Sequence, residues 1–237
     1  MVHRVDGPIG AYRGFDDGTD ARIAALNAEL ADATVVQSRY SLEKHAELGI
    51  ELRDPVVISN TVDPEIFHPP AEREELDGRP LRVIASSWSQ NPRKGADVLA
   101  WLDANLDPSV AALTFVGQPP RSFERIRHVG PLDSPGVARL LREHDVYLAA
   151  SRDDPCSNAL LEALACGLPT AYLDSGGHPE LVGEAGVAFG SPEEIPDALA
   201  RLAADLPGYR SRIRVPTLAD VADGYLRVLE LAGEESP

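Results

Sequence analysis

The chain is short of positive charge, of cysteine and of long apolar runs, and each shortage excludes something. It carries 22 lysines and arginines against 38 aspartates and glutamates, a formal net charge of −16 over 237 residues. The basic residues are scattered, RSFERIRH being the densest patch. A phosphate backbone is repelled by such a surface, so no nucleic acid partner is expected. A small anionic substrate remains compatible, because a few local cations and helix ends outweigh a distant, screened negative surface. Only Cys156 and Cys166 are present, and not as a Cys-x-x-Cys pair. That excludes a disulfide framework and predicts a reduced, cytoplasmic setting. No stretch approaches the ~18 consecutive apolar residues of a membrane span, and MVHRVDGPIG lacks the apolar core of a secretory signal. The six histidines fall in no metal-ligand spacing, and HExxH is absent, so neither metal nor other cofactor is expected. What remains is 43% hydrophobic and 25% charged, a globular composition with ample length for a core.

Strand and helix patterns alternate along the chain. Short runs rich in Val and Ile predict strands at 2–5, 34–36, 56–58, 81–85, 112–116, 146–149, 170–173 and 187–189. Helical patterns occupy 21–30, 40–48, 96–105, 136–143, 158–165, 194–206 and 218–231. Ser134 before Pro135 reads as an N-cap, and Cys166-Gly167-Leu168-Pro169 as a helix stop. Such alternation predicts an α/β fold, a doubly wound, mostly parallel, Rossmann-like sheet with helices on both faces. The proline-rich, charged stretch 63–80 reads as a linker between a short α/β part, 1–62, and a full α/β unit, 81–215, with a C-terminal helix and tail at 216–237. The first part has about three strands, too few for an independent doubly wound sheet. Other chains complete it, or upstream sequence is missing, the second being the favoured expectation.

In open parallel sheets ligands sit beyond the carboxyl ends of the strands, against helix N-termini. The segment ASRDDPCSNALLEALACGLP lies at such a place. The first N–H groups of its helix lack intrahelical partners and carry partial positive charge, ready for a phosphate or sugar hydroxyl. Ser157 either caps this helix or also meets a ligand. Glu162, one turn beyond Asn158, is either solvated surface or an acceptor for two ribose hydroxyls. Asp154 stands eight residues before it on the loop, so both carboxylates can face one cleft. Cys156 reads as a bystander thiol, His178 as a helix-start residue, and Trp88 and Trp101 as packing residues.

The order of motifs resembles the retaining GT-B glycosyltransferases, in particular glycosyltransferase family 4. DPCSNALLEALACGLP resembles that family's Glu-x7-Glu segment ending in LEAMACGxP, and DSGGHPELVGEAGVAF its GGxPEIV segment. VVISNTVDPEIFHP, RKGAD, LTFVG and QSRYSLEKHAELGI have counterparts in the same order, so the resemblance covers nearly the whole chain. It implies a GT-B-like fold with an incomplete acceptor domain at the N-terminus. It also implies roles: Lys94 neutralises the donor diphosphate, Glu162 holds the ribose and Asp154 contacts the donor sugar. Ser157 and Asn158 offer backbone N–H groups, and His128, Val129 and Gly130 meet the base edge. Gly176 and Gly177 either let the backbone approach the ligand or form a tight turn. Three positions depart from the family. Asp154 stands where Glu is usual. Trp88 stands where an arginine precedes the lysine by six residues, leaving Arg93 or Arg152 to replace that charge. Asp6 stands at the acceptor-domain histidine.

These readings lead to an expected glycosyltransferase. It moves a sugar from a nucleotide-diphosphate donor to an unidentified acceptor hydroxyl, with retention and without a metal. Two alternatives stand beside it: a donor-binding module without independent turnover, and a GT-B-shaped nucleotide-sugar epimerase.

Overall fold

Residues 81–87, Leu-Arg-Val-Ile-Ala-Ser-Ser, carry apolar side chains on both faces, which suits a strand covered by helices on either side. In the computed structural model, which describes residues 1–119 and 121–234, this is the centre of the larger of two sheets. The chain opens with β1 (Val2–Val5), α1 (Ile9–Arg13), α2 (Thr19–Leu30), β2 (Ala33–Val36), α3 (Arg39–Glu47) and β3 (Pro55–Val57). It continues with β4 (Leu81–Ser87), α4 (Ala96–Asn105), β5 (Ala111–Gly117), β6 (Arg127–Val129), α5 (Ser134–Arg142), β7 (Val146–Ala149) and α6 (Asn158–Ala165). Then come β8 (Thr170–Leu173), α7 (His178–Val182), β9 (Gly186–Phe189), α8 (Ile195–Ala204), α9 (Leu206–Ser211) and α10 (Leu218–Glu234).

The larger sheet has the order β6-β5-β4-β7-β8-β9, and every pairing is parallel. Alternate residues of each strand enter opposite cores. Leu81, Val83 and Ala85 meet Val98, Leu99 and Leu102 of α4 and the apolar face of α8. Ile84 and Tyr147 meet Val137 and Leu141 of α5, with Leu160 and Leu164 of α6, on the other face. The chain leaves β4 in one direction across the sheet and later returns to β7 on its other side. Between these two strands lies the switch point, where adjacent crossovers diverge and leave a crevice at the carboxyl ends.

The smaller sheet, β1-β2-β3, is also parallel. Its cover comes from the far end of the chain: Val228 of α10 packs with Ala33, Val35 and Ile58, beside Val2, Val221 and Tyr225. The stretch 63–80 contains neither helix nor strand, yet it is tightly anchored. Phe67 is buried in the α5–α6 core, and Arg73 donates to the carbonyls of Cys166 and His144.

Several local expectations are corrected. The cap of α5 is Asp133, whose carboxylate accepts from Gly136 N–H at 3.0 Å, rather than Ser134, which is the first helical residue. A helix expected over 194–206 breaks at Asp205, whose carboxylate caps a new helix, α9, with Pro207 in its first turn. Helices α1 and α7 and strand β6 have no counterpart in the sequence pattern, because three to five residues hold too little periodicity to register. Among the described residues no helix is long and apolar enough to cross a membrane.

Candidate active site

The carboxyl ends of β4 and β7 open into a cleft of about 480 Å³ that the end of β1 closes from the opposite side. Lys94, Asp154, Ser157, Asn158 and Asp6 all line it. Lys94 ends a short 3₁₀ turn, Pro92–Lys94, and Gly95 follows it with φ of 92°. A Cβ on Gly95 would lie 2.6 Å from the Cβ of Ala150, just beyond β7. Glycine at this position thus lets the lysine turn press against the loop that carries Asp154.

The ammonium of Lys94 donates to Asp154 Oδ2 at 2.7 Å, the two side chains being 20% and 7% exposed. It also lies 4.7 Å from the ring centre of Tyr12, on α1, a cation–π contact. Burial pulls against the charged lysine, but the Asp154 carboxylate outweighs it, and the ammonium is held above its ordinary range. Asp154 is itself braced: its carbonyl accepts from Gly177 N–H at 2.9 Å. His178, fully buried at the start of α7, donates from Nδ1 to the Leu173 carbonyl at 3.0 Å. Its Nε2 therefore accepts from Ser151 Oγ, also at 3.0 Å. Burial lowers the pKa of His178, which keeps the ring neutral and that orientation in place.

Helix α6 starts at the floor of the cleft. Ser157 caps it, its Oγ accepting from Leu160 N–H at 3.4 Å. The Asn158 side chain accepts from Asn60 Nδ2 at 2.7 Å. Cys156 also lines the cleft, and burial pushes its thiol up, so it stays protonated.

Glu162 is one turn further along α6 and does not line the main cleft. It opens instead on two flanking hollows of about 420 and 280 Å³. The first shares Arg4, Asn60 and Asn158 with the cleft, and the second shares Trp88. The Glu162 carboxylate has no hydrogen-bond partner among the described residues, and burial alone pushes its pKa up to about 7.

Other expected positions fall outside the cleft. Arg93 pairs with Asp153, which also accepts from Tyr40 OH at 2.7 Å, and Arg152 pairs with Asp97 at 2.7 Å, and neither lines the cleft beside Trp88. His128, Val129 and Gly130 lie at the carboxyl end of edge strand β6 and are absent from the cleft lining; His128 Nε2 donates to the Gly117 carbonyl at 3.0 Å. At Gly176, with φ of 63°, a Cβ would come within 2.4 Å of the Asp154 carbonyl oxygen, and at Gly177 within 2.2 Å of that of Pro155. The close approach these glycines allow is to the loop under the cleft.

Two cleft residues lie beyond what the sequence pattern singles out, and a third departs from the packing role expected of it. Arg4 supplies the second cation, held by Asn60 Oδ1 at 3.0 Å and lying 3.5 Å from Asp6. Its signal is present in the sequence, since residues two apart on a strand share a face and Asp6 is the second of such a pair. Tyr12 sits on the short helix α1, which leaves no periodic trace. Trp88, expected to pack, is 46% exposed and lines the cleft. Trp101 does pack, against the α4 side of the core.

The sequence model described as "Glycosyl transferases group 1" matches residues 81–205, more than half of the chain. The chain belongs to this family. It is 26% identical over 176 residues to a subunit of the human phosphatidylinositol N-acetylglucosaminyltransferase, a match covering 67% of this chain and 36% of that protein. It is 29% identical over 189 residues to the D-inositol 3-phosphate glycosyltransferase of Jonesia denitrificans, covering 66% and 45%. The chain thus spans less than half the length of these curated relatives. Among solved structures, sucrose-phosphate synthase from Thermosynechococcus elongatus superposes with a TM-score of 0.78 at 18% identity, over 99% of this chain and 68% of that one. Anabaena HepE, solved with UDP and glucose, gives 0.75 at 18% identity, over 97% and 71%. This group 1 glycosyl transferase chain has the GT-B fold, with parallel α/β sheets facing each other across the cleft.

Proposed function

We propose that the protein transfers a sugar from a nucleotide-diphosphate donor to an acceptor hydroxyl with retention at the anomeric carbon. The observation that carries the reading is the convergence of Lys94, Asp154 and the amino end of α6 on one cleft at the switch point. Membership of the glycosyl transferase family supports it, as does the UDP bound in the HepE structure of the same fold. Residues 81–215 act as the donor side and 1–62 as the acceptor side, with 63–80 joining them and Val228 of α10 packing back on the first sheet.

In this reading Lys94 leaves Asp154 for the donor diphosphate, where its charge balances the negative charge that builds as the nucleoside diphosphate departs. The free N–H groups at Ser157 and Asn158 stabilise part of the same charge. The bond from the anomeric carbon to phosphate oxygen breaks while the bond to the acceptor oxygen forms on the same face. The acceptor proton passes to the departing phosphate oxygen, so no protein nucleophile is required. Asp154, released from Lys94, takes hydroxyls of the donor sugar, and Glu162 the ribose diol. Arg4 and Asp6 face the acceptor. Positive charge comes from side chains and amides, so transfer continues in the presence of EDTA. The reduced cysteines fit a cytoplasmic setting.

Calorimetry with UDP-, GDP- and ADP-sugars tests the reading. One of them binds wild type and loses affinity in Lys94→Ala; binding by none of the three refutes it. The three-stranded first sheet favours a second reading, a donor-binding unit that does not turn over alone. Donor binding without transfer to any acceptor selects that reading, and conversion of a donor without acceptor selects an epimerase.

A further inference from the structure

Beside the main cleft, the hollow of about 280 Å³ is bounded by Trp88, Leu132, Asp133, Ser134, Val137 and Glu162. Its polar groups are unequally used. The Asp133 carboxylate is occupied by Gly136 N–H. The Glu162 carboxylate is largely buried, and Trp88 is half-exposed; neither side chain has a hydrogen-bond partner among the described residues. The floor, Leu132 and Val137, is apolar and belongs to the edge of the α5 core. A large aromatic face, that of Trp88, stays 46% exposed at the rim of the cleft, where a planar ligand can reach it. Trp88 follows β4 directly, so its backbone is held by the central strand while its ring borders both the hollow and the cleft.

We infer that Trp88 is the stacking platform for the nucleobase of the donor, and so a residue that sets how tightly this chain holds its nucleotide. The inference rests on the donor reading above and adds the part that reading leaves unassigned. A planar base on the indole face sets the ribose beside Glu162 in the same hollow and leads the diphosphate into the neighbouring cleft, toward Lys94. An aromatic platform tolerates any base, because every base has a π-face, and favours the larger purines by contact area. Among the described residues no cation lines this hollow, so the base is held there by stacking rather than by charge.

The test uses UDP, GDP, ADP and inorganic pyrophosphate with the wild-type chain, Trp88→Leu and Trp88→Phe. Calorimetry is expected to give Trp88→Leu a nucleoside diphosphate affinity at least about five-fold lower, the low end for loss of one base–aromatic stack. Pyrophosphate affinity stays as in wild type, and Trp88→Phe recovers most of the loss. With Trp101→Phe leaving Trp88 as the sole tryptophan, its emission is quenched by the nucleoside diphosphate and not by pyrophosphate. Nucleoside diphosphate affinity unchanged in Trp88→Leu, or quenching only when the sugar is attached, overturns the platform while leaving the donor reading intact. Failure of all three nucleoside diphosphates to bind wild type overturns both.

Discussion

Replacing Glu162 by glutamine should make the protein more stable and less able to hold its donor, and the size of the effect follows from burial. The carboxyl is pushed from its ordinary 4.5 up to about 7 with no compensating partner. At ~1.4 kcal/mol per pH unit, this amounts to about 3 kcal/mol of folding free energy. The folded chain holds the proton more tightly than the unfolded one. The stability is therefore fully present below 4.5, declines as pH rises, and is lost once pH passes 7. Glutamine carries no charge to desolvate. Glu162→Gln is thus more stable than wild type by about 3 kcal/mol near pH 8, a melting shift of roughly 6–12 °C for a chain of this size. The gain falls below about 1 kcal/mol near pH 5. Thermal melts of both proteins across that range, followed by circular dichroism, measure it directly. A stability gap of the same size at both ends, or none near pH 8, refutes the argument that desolvation sets this carboxyl. On the donor reading, wild-type nucleoside diphosphate affinity in calorimetry falls more steeply than the variant's as pH drops through 7, because the protonated acid is a poorer acceptor for the ribose diol while titration of the ligand's own phosphate is common to both.

Lys94→Met strands the nearly buried Asp154 carboxylate and should cost about 3–5 kcal/mol in urea melts; adding Asp154→Asn recovers most of that stability but no transfer. Gly176→Ala places a Cβ 2.4 Å from the Asp154 carbonyl oxygen, so it should destabilise by more than Gly18→Ala, which shares a positive φ but meets nothing within 4 Å. The left-handed backbone alone accounts for about 1–2 kcal/mol in both, and equal melts would remove the packing argument. Cys156, protonated and buried, should react with a neutral thiol reagent far more slowly in the native protein than in denaturant, as timed by absorbance.

Much of the architecture is legible because it is written in short-range chemistry. Strands 146–149 and 170–173 and helices 96–105 and 158–165 are readable to the residue, each being an apolar run or stripe bounded by glycine, proline or a capping side chain. The loop-to-helix junction at Ser157 marks the cleft for the same reason, since unpaired N–H groups and the residues that cap them are local facts. Gly176 and Gly177 are legible as special but not in purpose: the atoms that exclude a side chain there belong to Asp154 and Pro155, more than twenty residues away.

Through its motif resemblance the sequence offered the candidate trio Lys94, Asp154 and Glu162, and by itself it determined the α/β class and the segments that become strands and helices. These depend on side-chain period and on helix and loop chemistry, which act over a few residues. Only the tertiary structure decided that Lys94 bonds to Asp154 and stacks on Tyr12, while Glu162 faces a neighbouring hollow with Trp88. It alone decided that Arg4 joins the cleft, that Arg93 and Arg152 are taken by other carboxylates, and that α10 returns to cover the first sheet. Those outcomes depend on which distant surfaces meet, and on competition among charges for partners, and neither is encoded in any local pattern.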